Sequence, residues 1–558
     1  MKKKILFWII ITLIAFFTRF YKLDLYPPSL SIDEVSIGYN AFSILKTGRD
    51  EWGNFLPSSF RSVGDYKAPT LIYLTVPFVK ILGLNDFSTR LPVAIFSAIN
   101  IFLFWLLVSR FIFNKKYSGL AYLSTFIFSI SPWLIIFSRS SFEAVVALSF
   151  LLANLIFAFE FRKNGRIKDF IFMFTFAYLS AITYHSTKIV VPLINVIFIL
   201  LDYKCFVGYL TDWYRESKIK LFITTIIFIG ISIFFIKNFI FGPGSSRAGM
   251  TLLTNDFDYA KGIIPKLIAH PLFWLTSTIS LISFWYKRFL EYFSANFYLS
   301  SGLGLSTPLW PGQGVIYAIE YPFLIVGFFI LISLRKYFDS SISQKFVVSI
   351  LVAWFFLGFL PASISNNSQH ALRSLNVLPV IAILISLGII FAVESVKKPI
   401  FKYILSAVII AGYILGIIRF VDFYTLHYPI ELSETRSYGW KQMAIYARDH
   451  HSEYDNVYVD PRFGSSGPFT FGTPYLYFLF YSQYDPSKYI NDPRRKEGTN
   501  FENYIFTIDK NWPDINLTKN NLYIASPWNF PQWLLESKRE KFFVQFINKK
   551  SGIYAISN

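Results

Sequence analysis

Long apolar runs separated by short polar turns occupy most of the chain. They cover Ile5–Phe20, Leu91–Phe113, Tyr122–Phe137, Phe142–Phe161, Phe170–Tyr184, Ile189–Leu201, Leu221–Phe241, Tyr321–Leu334, Phe346–Leu360, Leu372–Val393 and Tyr403–Val421. Many of these reach the roughly 18–20 residues that carry an α-helix across a bilayer. They are continuous rather than alternating, which argues against the strands of a membrane β-barrel. The pattern therefore predicts a polytopic α-helical membrane protein with about eleven spans, a count set by the apolar runs and the charge bias of the loops between them.

Basic clusters mark one side of the membrane. Lys2–Lys4, Lys115-Lys116, Arg162-Lys163, the segment from Lys204 to Lys220, Arg335-Lys336 and Lys397-Lys398 fall on the same side when the runs are threaded alternately. The positive-inside rule makes that side cytoplasmic, so the N-terminus is expected inside. No small-residue cleavage site follows the first run, which reads as an uncleaved span. Ala68–Leu84 is apolar but short, and threading it as a span would reverse the charge pattern; it is expected to lie in the interface. A long external section follows Phe241 and opens on the turn-rich Gly242–Ser246. It also contains an apolar piece, 271–285, that suits the membrane surface.

From Asp422 onward the character changes. Short runs at Asn456–Val459, Tyr504–Ile508, Leu522–Ala525 and Phe543–Ile547 read as strands, whereas Trp440–His450 and Trp533–Lys541 have helical spacing. The expected domains are thus a membrane domain, 1–421, and a small extracytoplasmic α/β domain, 422–558.

Composition agrees. Of 558 residues, 54% are hydrophobic and only 16% charged, where a soluble protein carries roughly a quarter charged. The net charge of +19 is explained by basic cytoplasmic loops facing anionic lipid headgroups, with no basic tail to suggest nucleic acid. Cys205 is the single cysteine, which excludes an internal disulfide and a multi-thiolate metal site. No histidine pair has metal-ligand spacing, so neither metal nor cofactor is expected.

The candidate chemistry gathers on the external turns. Ser31-Ile32-Asp33-Glu34 follows the first span; Ser31 or Asp33 suits a helix cap, and acids suit the positive end of a helix. Two adjacent carboxylates at a membrane edge are also costly to place and point to function. Tyr66-Lys67-Ala68-Pro69 opens the interfacial helix. Later external turns carry Arg139 and Glu143, then Tyr184-His185-Ser186-Thr187-Lys188, then His370 and Arg373. Lys67, Arg139, Lys188 and Arg373 are each of the type that reaches up to headgroups. His185 and His370 read as hydrogen-bonded interface residues. Together, cations that bind a phosphate and a carboxylate that accepts a hydroxyl proton suit glycosyl transfer from a lipid phosphate. An external site excludes cytoplasmic nucleotide-sugar donors.

In the order and topology of these elements the membrane part, about residues 5–420, resembles the GT-C superfamily of glycosyltransferases. It is similar to the protein O-mannosyltransferase and lipid A aminoarabinose-transferase group and to the bacterial RgtA/B/C/D-like transferases. The resemblance is carried by Asp33-Glu34, Lys67-Ala68-Pro69, Glu143, the Tyr184–Lys188–Pro192 spacing and the Arg373–Pro379 spacing. It implies an inverting transfer from a polyprenyl-phosphate sugar to a hydroxyl acceptor. Asp33 would be the general base, and Glu34 would orient it or bind acceptor. Lys67, Lys188 and Arg373 would hold the donor phosphate, and Glu143 would line the donor pocket. Arg139, Tyr66, Tyr184, His185 and His370 are further candidate pocket residues. The chain departs from the group at Ala68, where the relatives carry Pro. The competing expectation is a transporter or flippase, but no internal repeat supports it. A plasma-membrane location with an external C-terminal domain follows from the topology.

Overall fold

Every one of the apolar runs is helical in the computed structural model. The structure describes residues 2–62, 66–237, 252–267, 272–302, 313–333, 335–338, 343–366, 369–467, 470–497, 499–508, 520–537 and 539–557. Gly242–Ser246, and the expected span ends at Phe241 and Leu334, lie outside the described residues. Among the described residues five helices are long and apolar enough to cross a membrane. They are Asp86–Ile112, Glu143–Asn164, Gln344–Ser363, Ala371–Ser395 and Pro399–Glu431. Two pairs bent by 49° and 86°, Lys115–Ile130 with Pro132–Ser138 and Thr187–Leu201 with Tyr203–Glu216, bring the number to seven if each pair counts as one span. The remaining expected spans correspond to Lys2–Arg19, Ile167–Thr183, Lys218–Phe235 and Glu320–Ser333. The last is only 14 residues long. The chain is a multi-pass membrane protein.

It packs as two units, one formed by residues 1–21, 95–138 and 142–421, the other by 22–94, 139–141 and 422–558. The expected boundary at 421/422 is one of five points where the chain passes between them.

The first unit is helical. Its buried polar groups bond across helices, as the lack of water in a bilayer requires. Asn100 Nδ2 donates to the Val145 carbonyl (2.8 Å), Trp133 Nε1 to Ala371 (3.0 Å) and Trp354 Nε1 to Asn376 (2.9 Å). The helices Glu320–Ser333 and Leu378–Ser395 make the tightest approach. A Cβ on Gly327 would lie 1.8 Å from the Leu384 carbonyl oxygen, and one on Gly388 would lie 2.0 Å from that of Phe323. Tyr337 Oη, past the end of the first helix, donates to Glu394 Oε2 in the last turn of the second (3.0 Å). Small residues one turn apart let backbones meet where the apolar solvent gives no drive to associate.

In the second unit, helix α1 (Ile32–Thr47) packs on helix α2 (Pro69–Leu82), with the short antiparallel pair β1 (Phe60–Arg61) and β2 (Tyr66–Lys67) between them in sequence. The C-terminal segment contributes helix α3 (Trp440–His450), which has the bounds the spacing predicts, and helix α4 (Pro474–Tyr481). Strands β3 (Asn456–Val459), β4 (Arg462–Phe463), β5 (Thr470–Phe471), β6 (Tyr504–Phe506), β7 (Asn521–Ala525), β8 (Glu540–Gln545) and β9 (Ser551–Ser557) complete it. Five of them form a sheet in the order β6-β3-β7-β9-β8. Its parallel half is β6-β3-β7, and β9 pairs antiparallel to β7 and β8.

One expected helix is shorter. Trp533–Lys541 is helical only over Gln532–Glu536, and Glu540 and Lys541 begin β8. The ladder to β9 decides this, because pairing with Ile556 and Ala555 from Glu540 onward takes up backbone that the helical spacing alone would have coiled.

Gly327→Val and Gly388→Val are each expected to force the two backbones apart, destabilising by about 1–3 kcal/mol or more as overpacking does. A Tm several degrees lower for the detergent-solubilised variants, set against an unchanged Tm for Gly119→Ala at an open position, checks this.

Candidate functional site

The helix that carries the two acids starts at Ile32, and Ser31 caps it. The Glu34 amide donates to Ser31 Oγ (3.4 Å), and the Ser31 amide donates to Glu34 Oε2 (2.8 Å). This reciprocal capping box satisfies two of the first free amides of the helix. The cap therefore falls to Ser31 and Glu34, and the Asp33 carboxylate is left for something else. Successive helical residues point about 100° apart, and here that rotation separates an outward acid from an inward one. The Asp33 side chain is 59% exposed, that of Glu34 only 1%.

Glu34 is the centre of a buried charge cluster. Its Oε1 accepts from Arg90 Nε (2.9 Å) and from the Ser141 amide (3.2 Å), and its Oε2 accepts from Arg436 Nη2 (3.0 Å). The other Arg90 nitrogens donate to the carbonyls of Leu23 (3.0 Å), Pro27 (2.8 Å) and Ser29 (2.7 Å). Arg436 also reaches Tyr428 Oη (3.0 Å) and Ser140 Oγ (3.2 Å). Burial pushes the Glu34 carboxyl up, but the two guanidiniums and the Arg90 and Ser31 hydrogen bonds outweigh it and hold it below the ordinary range. Glu34 is thus a buried anchor that fixes the first turn of α1, and with it Asp33.

Asp33 itself is ion-paired to Lys67 Nζ, whose side chain is 4% exposed. Lys67 stands on β2, opposite Phe60. A buried ammonium on a short strand thereby meets an exposed carboxylate at the N-terminus of a helix, where the helix dipole also favours negative charge. Tyr66 precedes Lys67 on the same strand and lies opposite Arg61.

The other expected residues take several forms. Arg139 is buried and donates to the carbonyls of Tyr26 (3.2 Å) and Lys22 (3.0 Å), with its guanidinium 5.7 Å from the Tyr424 ring. Its geometry is that of a clamp on the 22–26 turn. In the first unit, Glu143 opens the helix Glu143–Asn164, and Tyr184 ends the helix Ile167–Thr183. Lys188 Nζ lies 3.3 Å from His185 Nδ1. The His370 amide donates to Tyr292 Oη (3.0 Å), and Arg373 Nη1 donates to the Asn366 carbonyl (2.8 Å). The structure brings Asp33 to Lys67 and His185 to Lys188. Among the described residues no group of three or more His, Cys, Asp and Glu side chains is placed to hold a metal ion.

Sequence reasoning passed over Arg90, Arg436 and Ser141 as members of the site. Arg90 had a signal: it is a charge beside the long apolar run from Leu91. Arg436, 402 residues from Glu34, had none. Asp86, in the first turn of its helix, accepts from Lys441 Nζ (2.7 Å) and Tyr481 Oη (2.8 Å).

Glu34→Gln removes the carboxylate that faces the two buried guanidiniums of Arg90 and Arg436 and is expected to cost about 3–5 kcal/mol of stability. The depressed carboxyl gives a sign for pH: its contribution is complete above the ordinary glutamate range and is lost as pH falls through the depressed value. Acid denaturation should show this loss in the wild type and not in Glu34→Gln, which has already lost it.

No family model matches the chain, and no curated protein matches it. Solved structures do. ArnT from Cupriavidus metallidurans in the apo state aligns with a TM-score of 0.51 and 11% identity, covering 99% of this chain and 98% of that one. ArnT bound to undecaprenyl phosphate gives the same values. The oligosaccharyltransferase AglB from Archaeoglobus fulgidus gives a TM-score of 0.49 at 12% identity, over 86% of this chain and 63% of that chain. Over nearly its whole length, the chain has the fold of ArnT.

Proposed function

We propose that the protein is an inverting glycosyltransferase that moves a sugar from a polyprenyl phosphate to a hydroxyl acceptor at the extracytoplasmic face. The observation that carries the reading is the division of labour at the start of α1. Glu34 and Ser31 take over capping and anchoring, while Asp33 presents an exposed carboxylate beside a buried lysine. The fold adds support, since ArnT, with the same fold, is described in complex with undecaprenyl phosphate.

In this reaction the acceptor oxygen attacks the anomeric carbon as the bond from that carbon to the phosphate oxygen breaks. The hydroxyl proton passes to Asp33, and the electron pair leaves on the polyprenyl phosphate. Lys67 holds the Asp33 carboxylate in place and is assigned to the donor phosphate. Lys188 and Arg373 are assigned to the donor phosphate, because charge that grows on a leaving phosphate is best met by fixed cations. Tyr66, Glu143, Tyr184, His185, His370 and Arg139 are assigned to substrate contact. The N-terminus lies in the cytoplasm, and the domain after Asp422 is extracytoplasmic. The surrounding membrane lipids supply the donor.

Asp33→Asn is expected to lower turnover by about 10²–10⁴-fold, the range of a lost general base, with a lower Tm as well because the buried Lys67 loses its carboxylate partner. The measurement is release of polyprenyl phosphate by purified protein given a panel of polyprenyl-phosphate sugars and hydroxyl acceptors. Equal turnover in Asp33→Asn and wild type would sink the assignment of the base. Absence of turnover with every donor by folded wild type would sink the enzyme itself.

A further inference from the structure

Glu51 and Trp52 follow helix α1, and the indole of Trp52 is the meeting point of two arginines. The Arg61 guanidinium, on β1, lies 4.2 Å from the Trp52 ring, and that of Arg495 lies 4.8 Å from it. Arg495 also lies 4.5 Å from the ring of Tyr489. A guanidinium lying on an aromatic face is held by the ring quadrupole, while its N–H groups point outward from the edge. Among the described residues no carboxylate is within ion-pair distance of either one. Two like charges on one indole make a locally positive surface that suits a bound anion.

The acids nearby do not supply the missing charge. Asp50 is engaged by the Trp52 amide (2.9 Å), the Asn54 amide (2.8 Å) and Asn54 Nδ2 (3.0 Å). Glu51 is fully buried, and neither of its oxygens accepts a hydrogen bond of normal geometry. Burial pushes its carboxyl up to about 8, against the smaller opposing pull of Asn40 and Arg495, so it is mostly neutral at pH 7. The Trp52 indole N–H and the Tyr489 hydroxyl are also buried without a hydrogen bond of normal geometry. Around Trp52, then, stand two guanidiniums, an indole N–H, a phenol and a protonated acid. All of them can donate.

We propose that Trp52, Arg61 and Arg495 form an anion subsite that takes the carboxylate or phosphate of an acidic sugar. The sugar class follows from the pairing of flat aromatic surface with convergent donors, which suits a ring bearing a charged group better than a bare ion. The position suits it too. Arg61 pairs with Tyr66 on the hairpin whose next register pair is Phe60 with Lys67. Neighbouring strand residues are about 3.3 Å apart along the chain and face opposite ways. The subsite therefore lies across the hairpin from the Asp33–Lys67 pair. That the sugar belongs to the acceptor rests on the proposed transferase reading; the anion site itself does not.

Direct binding tests this, with calorimetry on the full-length solubilised chain. The probes are glucuronate, glucose 1-phosphate, inorganic phosphate and glucose. Both sugar anions should bind the wild type more tightly than inorganic phosphate, and glucose should show no binding. Arg61→Gln and Arg495→Gln should each weaken the sugar anions at least tenfold. Raising the pH from 7 to 9 ionises Glu51 beside Arg495 and should weaken glucuronate binding, whereas Glu51→Gln should abolish that pH dependence. Asp50, already hydrogen-bonded, and Tyr39, Tyr475 and Tyr489, which burial pushes up, also face Glu51 and keep their charge state over this range. No sugar-anion binding by the wild type, or binding indifferent to both arginines, overturns the subsite. Inorganic phosphate binding as tightly as the sugar anions overturns the sugar class. Sugar-anion binding without turnover on any donor keeps the subsite and removes the transferase.

Discussion

A single buried carboxylate holds the second unit together. Glu34 draws donors from four places in the chain: its own cap at Ser31, Arg90, the Ser141 amide and Arg436. Leaving any partner unmatched in a low dielectric is expensive, so these segments are bound to one arrangement. The excess positive charge is spread over the carbonyls of Leu23, Pro27 and Ser29 and the hydroxyls of Tyr428 and Ser140. The short stretch 139–141 belongs to this unit although its sequence neighbours on both sides belong to the other. The contacts of Arg139, Ser140 and Ser141 account for that.

The helices were legible in the sequence because their signal is local. Continuous apolar runs with basic ends declare both element type and span, and the runs at Phe142–Phe161 and Phe346–Leu360 match observed helices closely. The C-terminal unit was legible in part. The periodicity of Trp440–His450 and the strand at Asn456–Val459 sufficed. For 533–541, helical spacing and strand pairing compete, and only the presence of β9 decides between them.

Within the candidate site the sequence points to Asp33 but is silent on why Asp33 rather than Glu34. Both are acids in the first turn of a helix, and either fits a cap. The difference is made by residues 56 and 402 positions away, which no local pattern reveals. Lys67 looked like a phosphate ligand from its sequence neighbours, and the fold gives it a carboxylate partner first. Arg139 looked like a pocket cation, and the fold sets it on backbone carbonyls.

The paired glycines of the first unit bear on how far a sequence like this can drift. Gly327 and Gly388 each meet the backbone of the facing helix one turn away, rather than a side chain. The buried Asn100, Trp133 and Trp354 likewise donate to main-chain carbonyls. A scaffold joined chiefly through atoms that every residue possesses asks little of its side chains beyond apolarity on the lipid face and smallness at a few crossings. Such a scaffold can retain its architecture while nearly every residue changes, and the shared fold at 11% identity with ArnT is an instance of that freedom.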